Sequence, residues 1–284
     1  MNKHELKNYL YVLPAAILVT VFFITSVFYT FYLSFYEWDG FNEKIFVGIS
    51  NYIEIFNDSN FWLSLGNTLV WVFSAIVVNV AFPLIMAILI INSSRSSLFK
   101  NLFYYPATIS GTVAGLIMAA MLSAYGLPQI FTLVGKSEWA RDVMAIPYLN
   151  TMVMILMGTW QGIGLNLLLF ISGLRSLDKS PIEAAQVEGA SKFKLYQKVV
   201  LPALKPTVVV VLLMAIVNSF KVFDSIWVMT KGGPYRTSET LALKMYTESF
   251  INSSYGTGSA VAIILTVIIL FASYFNLKNT FKKD

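Results

Sequence analysis

The chain has 284 residues, of which 57% are apolar or aromatic and only 12% charged, about half the charged share of an ordinary soluble domain. Mean hydropathy is +0.68, so lipid is its main solvent, and a water-soluble enzyme or a disordered chain is excluded. Cysteine is absent and His4 is the single histidine. Disulfides, thiolate nucleophiles, histidine triads and Cys/His metal sites are therefore unavailable, and no catalytic or metal-binding residue is assigned. The net charge of +5 is a matter of topology and gives no reason to invoke nucleic acid.

Six stretches are long and uncharged enough to cross ~30 Å of hydrocarbon. They run Leu10–Tyr36, Phe61–Ile91, Leu102–Ala124, Tyr148–Gly173, Thr207–Thr230 and Ser259–Leu277. The first exceeds the ~7–15 apolar residues of a signal peptide and lacks a small-x-small cleavage site, so it reads as an uncleaved span. Thirteen of the 20 Lys and Arg fall on one side if the N-terminus is cytoplasmic, among them Lys3, Lys7, Arg95, Lys100, Lys282 and Lys283. This bias places both termini inside. Gly111–Gly115 and Gly158–Gly162 lie within spans as GxxxG patterns that let another helix approach closely. No soluble domain or internal repeat is present, and Tyr9, Tyr11, Trp38, Trp62 and Tyr148 read as interfacial anchors.

The loop after span four is the most informative segment. Ser180-Pro181-Ile182-Glu183 predicts a helix start, with Ser180 as N-cap and Glu183 closing a capping box. Gly189 predicts a stop at positive φ, Ser191 a second start, and Pro202 a second stop. In that second helix Phe193, Tyr196 and Val200 share one face. Two readings of this helix–turn–helix elbow stand side by side. Its small side chains suit a rigid lever against another protein, and its amphipathic face suits rest on lipid headgroups.

Glu183-Ala184-Ala185, Glu188-Gly189-Ala190 and Leu201-Pro202 resemble the EAA loop of permease subunits of ATP-binding-cassette importers. Glu188 replaces the usual Asp and keeps its charge. Trp38-Asp39-Gly40, Phe46-Val47-Gly48, Asn51-Tyr52, Phe61-Trp62, Asn67-Thr68 and the run Phe223-Asp224 through Gly232-Gly233-Pro234 to Thr240-Leu241 resemble the first permease of the carbohydrate-importer branch. The resemblance implies an all-α, polytopic, six-helix protein of the bacterial or archaeal cytoplasmic membrane with a MetI-like core. Residues 1–60 would hold the tail, first span and an extracytoplasmic loop; residues 61–284 would form the five-helix core, with the coupling loop at 174–206. It further implies a homologous second permease, two ATPase subunits and an extracytoplasmic solute-binding protein. ATP and Mg would sit on the ATPase, with no cofactor on this chain, and Glu183, Ala184, Ala185, Glu188, Gly189 and Ala190 would couple to it. A polyol or glycerol phosphate is the alternative solute to a sugar. A polytopic enzyme or sensor is the remote alternative.

Polar groups inside spans are costly and should face protein or a water-filled path. At ~1.5 Å per residue, Asn79, Gln161 and Asn218 all lie near the midplane, where their amides suit sugar hydroxyls. Trp160 and Phe220 offer stacking faces nearby, and Ser219 adjoins Asn218. The alternative for each amide is a hydrogen bond between helices. Lys221 and Asp224, spaced i, i+3, would either pair on one helix face or line the outer mouth of the path.

Overall fold

The computed structural model describes residues 3–281 except 92, 124 and 137–140, and side chains from Tyr11 to Lys278. The expectations for Ala124, Lys282 and Lys283, and for the side chains of Lys3 and Lys7, lie outside the described residues. Among the described residues six helices are long and apolar enough to cross a membrane: Tyr11–Leu33, Ser59–Ile90, Gly111–Leu133, Leu149–Arg175, Lys205–Met229 and Tyr255–Lys278. They are called spans one to six. The expected all-α, six-span architecture is therefore present, with three boundaries corrected.

Span one ends at Leu33, short of Tyr36, which pairs with Phe46 in a two-stranded ribbon. The expected third span runs straight through a break. Ser96–Tyr104 is a separate helix, Tyr105–Thr108 is a 3₁₀ turn, and the span starts afresh at Gly111. Pro106 supplies no backbone donor there, while the Ser110 hydroxyl caps the new helix by accepting from Val113 N at 3.3 Å. Span five is also interrupted. Its helix Lys205–Phe220 stops at Lys221, Phe223 adopts φ −140° and ψ −56°, and a second helix runs Asp224–Met229. The Val222 carbonyl freed by this break accepts from Thr240 Oγ1 at 3.0 Å.

The chain folds as two compact units, one of residues up to Phe61 with Lys244–Val267, the other of Trp62–Leu243 with the rest of span six. In the first unit, buried Asn51 donates to Ser34 O at 2.9 Å and Tyr36 O at 3.0 Å, which fixes the turn that leaves span one. Asp39 accepts from Phe41 N and Asn42 N at 3.0 and 2.9 Å. The Asn42 and Phe41 amides hold its carboxyl below the usual range. Gly40 follows at φ +94°, and a Cβ there would stand 2.7 Å from the Tyr255 ring, so only glycine fits. Lys244 is buried, with Nζ 2.7 Å from Asp58 Oδ2 and 3.4 Å from Glu248 Oε1.

In the second unit, spans two, four and five share a core. Ala75, Val80, Ala87 and Ile90 meet Leu167, Phe170 and Ile171, and Leu204, Val211 and Ala215 close the group. Glycine sets the closest approach. A Cβ on Gly164 would collide with the backbone of Phe103 and Tyr104, and one on Gly173 with Thr207 and Leu204. The segment after span five, Thr230–Leu243, returns against span two, and its polar groups are matched one by one. Asn67 Nδ2 donates to Glu239 O at 2.9 Å and Arg236 O at 3.3 Å, Ser64 Oγ to Glu239 Oε2 at 3.0 Å, and Leu241 N to Thr68 Oγ1 at 2.9 Å. Sequence motifs some 170 residues apart are thus two halves of one contact.

Asn67→Ala strands the buried Glu239 carbonyl and releases the part-buried one of Arg236, so the purified protein should lose about 1–3 kcal/mol of stability, read as a lower thermal midpoint in detergent. Burial raises the Asp58 carboxyl, but the Lys244 ammonium and Asn60 outweigh it and leave the pKa below 3.8. The resulting stabilisation is complete above that value and is lost as pH falls through the lower folded pKa. Asp58→Asn should therefore lower the midpoint at pH 7 and flatten its decline toward pH 3, both measured by thermal unfolding.

Candidate functional site

Two regions carry functional expectations. The loop after span four begins with the helix Ser180–Val187, whose N-cap is Lys179. The expected Ser180 cap and its capping box do not form. Asp178, two positions before Ser180, satisfies the first free amide instead, its Oδ1 accepting from Ser180 N at 3.0 Å, while Glu183 N bonds Lys179 O at 2.9 Å. The far end is as expected. Gly189 has φ +78°, Ala190 N donates to Ala185 O and Gly189 N to Gln186 O, each at 3.0 Å, which is the Schellman arrangement. Ser191 starts the second helix, accepting from Lys194 N at 3.5 Å.

Pro202 does not stop that helix. Tyr196–Val200 is a π turn, Leu201 N reaches back to Tyr196 O, and Pro202 falls in the first turn of the next helical piece. There its missing N–H costs nothing. The interruption comes instead at Leu204, just before Lys205–Phe220 begins. The shared face is also incomplete: Val200 is buried and Tyr196 half-buried, but Phe193 is 76% exposed. Glu183, Ala184, Glu188 and Gly189 are exposed and Ala185 and Ala190 partly so, so the first helix presents a small, open face locked at both ends. Behind it lies a cavity of about 500 Å³, bounded by Ile91, Arg175, Ile182 and Tyr196.

The second region is a cavity of about 380 Å³ in the second unit, between spans two, four and five and the break before span three. Asn79, Gln161, Asn218 and Ser219 all line it, so the convergence expected of the midplane residues is present. Trp160 does not line it and is 45% exposed, Phe220 is buried elsewhere, and Lys221 and Asp224 lie outside it. Lys221 stands in the break and Asp224 opens the next helix; both are exposed, and no ion pair joins them.

The side chains divide between support and display. Gln161 Nε2 donates to Ile109 O at 2.9 Å and so holds the break before span three. Ser219 Oγ bonds its own helix at Ala215 O, 2.7 Å away. Asn218 is exposed toward the cavity, and its side chain makes no hydrogen bond among the described residues. Asn79 sits in a π turn, Ala75–Ala81, whose loosened Asn79 carbonyl accepts from Asn166 Nδ2 at 2.7 Å. Trp71, Thr159 and Asn166 also line the cavity and were not anticipated. An indole placed mid-span, away from either interface, was the available signal for Trp71. The two GxxxG patterns serve this region. Gly158 and Gly162 seat Trp71 and Asn79, and Gly111 and Gly115 face Asp224, Ser225 and Met229.

Comparison with known proteins agrees with this architecture. The chain is 31% identical over 280 residues to the multiple sugar-binding transport system permease protein MsmF of Streptococcus mutans, covering 98% of this chain and 96% of that protein. It is 30% identical to the arabinooligosaccharides transport system permease protein AraP of Bacillus subtilis, over 95% of this chain and 87% of the relative. A crystal structure of a bacterial ABC transporter involved in import of the acidic polysaccharide alginate has a chain of the same fold, with TM-score 0.81 at 20% identity, covering 97% of this chain and 96% of that one. The model of the binding-protein-dependent transport system inner membrane component matches residues 7–282, and the chain belongs to that family.

Proposed function

We propose that the chain is one of two homologous permease subunits of an ATP-binding-cassette importer for a sugar or oligosaccharide. The observation that carries this reading is the match to sugar and arabinooligosaccharide permeases along nearly the whole chain. As an inner membrane component of a binding-protein-dependent system, it needs no catalytic group of its own. Two ATPase subunits would hold ATP and Mg, and an extracytoplasmic protein would deliver the solute. Both termini would then be cytoplasmic, in line with the Lys and Arg bias.

On this reading Glu183, Ala184, Ala185, Glu188, Gly189 and Ala190 form the contact with the ATPase. Small side chains permit close approach, and the Asp178 cap and Schellman turn make the helix stiff enough to transmit displacement. The cavity lined by Asn79, Gln161, Asn218 and Ser219 is this chain's part of the path. Alternating access would open it first to the delivering protein and then to the cytoplasm. Lys221 and Asp224 lie at the interruption of span five and line its outer approach, while Trp160, turned away from the cavity, is available to the second permease or to lipid.

The test is uptake by the complete transporter in proteoliposomes. Glu183→Arg and Gly189→Val should insert normally yet lose most uptake. In Gly189→Asn, whose residue tolerates positive φ, uptake should largely survive. Normal uptake in the first two would overturn the coupling role. Asn218→Leu should cut uptake about tenfold or more while the resting ATPase rate is kept, and an unchanged rate would remove Asn218 from the path.

A further inference from the structure

The cavity contains two polar atoms that nothing among the described residues satisfies. Trp71 Nε1, a donor only, and Asn79 Oδ1, an acceptor, are both buried and have no hydrogen-bond partner among the described residues. Trp71 is 94% buried, being 6% exposed, and both side chains line the same cavity. A stranded buried donor or acceptor is destabilising, and two on one wall of one cavity call for a partner outside this chain.

Their placement is built. Trp71 and Asn79 lie on span two, separated by eight positions, and a regular helix would drift their directions apart by about 80°. The π turn Ala75–Ala81 lies between and around them, and Asn166 pins its carbonyl at Asn79. Span four supplies a glycine opposite each. A Cβ at Gly158 would stand 3.4 Å from Trp71 Cζ3, and one at Gly162 3.5 Å from Asn79 Oδ1. Larger residues at either position would fill the space against which these side chains rest. None of the lining side chains is charged, although Lys221 borders the lining residue Val222 and Asp224 follows two positions on. Charge has thus been kept at the rim. An anionic solute would meet amide, indole and apolar groups with no cation to replace its hydration.

We infer that Trp71 and Asn79 form a donor–acceptor station on span two that reads the hydroxyl groups of an uncharged saccharide, with Asn166 as its positioning residue. A sugar hydroxyl is both donor and acceptor, so one ring can accept from the indole N–H and donate to the amide oxygen. A carboxylate or phosphate can satisfy only the indole. This inference rests on the cavity being part of the solute path, and it narrows the solute class to neutral sugars over uronates and sugar or glycerol phosphates.

The experiment is uptake by the complete transporter in proteoliposomes with a fixed panel: raffinose and maltotriose as neutral probes, digalacturonate and glycerol 3-phosphate as anions. The wild type should take up a neutral probe and neither anion. Trp71→Phe, which keeps a ring, and Asn79→Leu should each raise KM for that probe about fivefold, the loss of roughly one hydrogen bond, with the resting ATPase rate unchanged. Asn166→Leu should do the same through Asn79, and Asn79→Lys should shift the digalacturonate-to-neutral uptake ratio upward. That ratio does not depend on how much complex is assembled, so a folding defect does not imitate it. Wild-type uptake of either anion at a rate matching the neutral probes overturns the charge assignment. An unchanged KM in Trp71→Phe and Asn79→Leu together with an unchanged ratio in Asn79→Lys, with Asn218→Leu still defective, overturns the station and leaves the path in place. If Asn218→Leu is also normal, the path itself is wrong.

Discussion

In hydrocarbon no water is present to satisfy a peptide group, so every departure from a regular helix must find its partner inside the protein. This chain departs often, and at several of these places it answers in nearly the same way, with a carboxamide side chain donating to a backbone carbonyl. Asn51 does so at the end of span one and Asn67 under the returning segment after span five. Gln161 serves the break before span three, and Asn166 the π turn of span two. Asn150 reaches Gly233 at 2.8 Å. An amide is neutral and carries two donors on one nitrogen, so it can repair a backbone without bringing a charge into the membrane.

This constraint separates two kinds of polar residue that look alike in sequence. Asn79, Gln161, Asn166 and Asn218 are all mid-span amides. Gln161 and Asn166 spend their donors on backbone and so fix the shape of the cavity, whereas Asn79 and Asn218 keep side-chain groups turned toward it. The shape of the site and its chemistry therefore come from the same residue type in different surroundings. Neither role is visible from a residue's identity or its depth alone.

Spans two and four were legible in the sequence to within two residues, and span six except for its first turn, because hydropathy averaged over about 19 positions registers an unbroken helix well. The same averaging hides interruptions. Leu102–Tyr104 are as free of charge as a span, yet they belong to a helix ended before Pro106; Lys221 and Asp224 read as helical neighbours, yet they flank a break. The relevant signals were local: a proline followed by a serine cap, and two charges within an apolar run. The elbow was half legible. Gly189 announced its own φ, since few other residues adopt it, but Asp178 and Ser180 are both good caps, and the sequence does not say which one the chain will use. Trp71 was passed over because an indole in a membrane protein reads first as an interfacial anchor.

The π turn at Ala75–Ala81 also sets the phase of everything that follows it. Relative to a regular helix, a π turn accommodates one additional residue, and each residue of an α-helix advances the side chains by about 100°. The part of span two that follows, Phe82–Ile90, is therefore in phase with the core only because of that surplus residue. Removing a single residue there would mend the hydrogen-bond ladder, and it would also turn Ala87 and Ile90 about a quarter revolution out of the packing they share with Phe170 and Leu204. The spacing between Trp71 and the second half of its helix is thus a fixed phase, which tolerates exchange of side chains far better than a change in length.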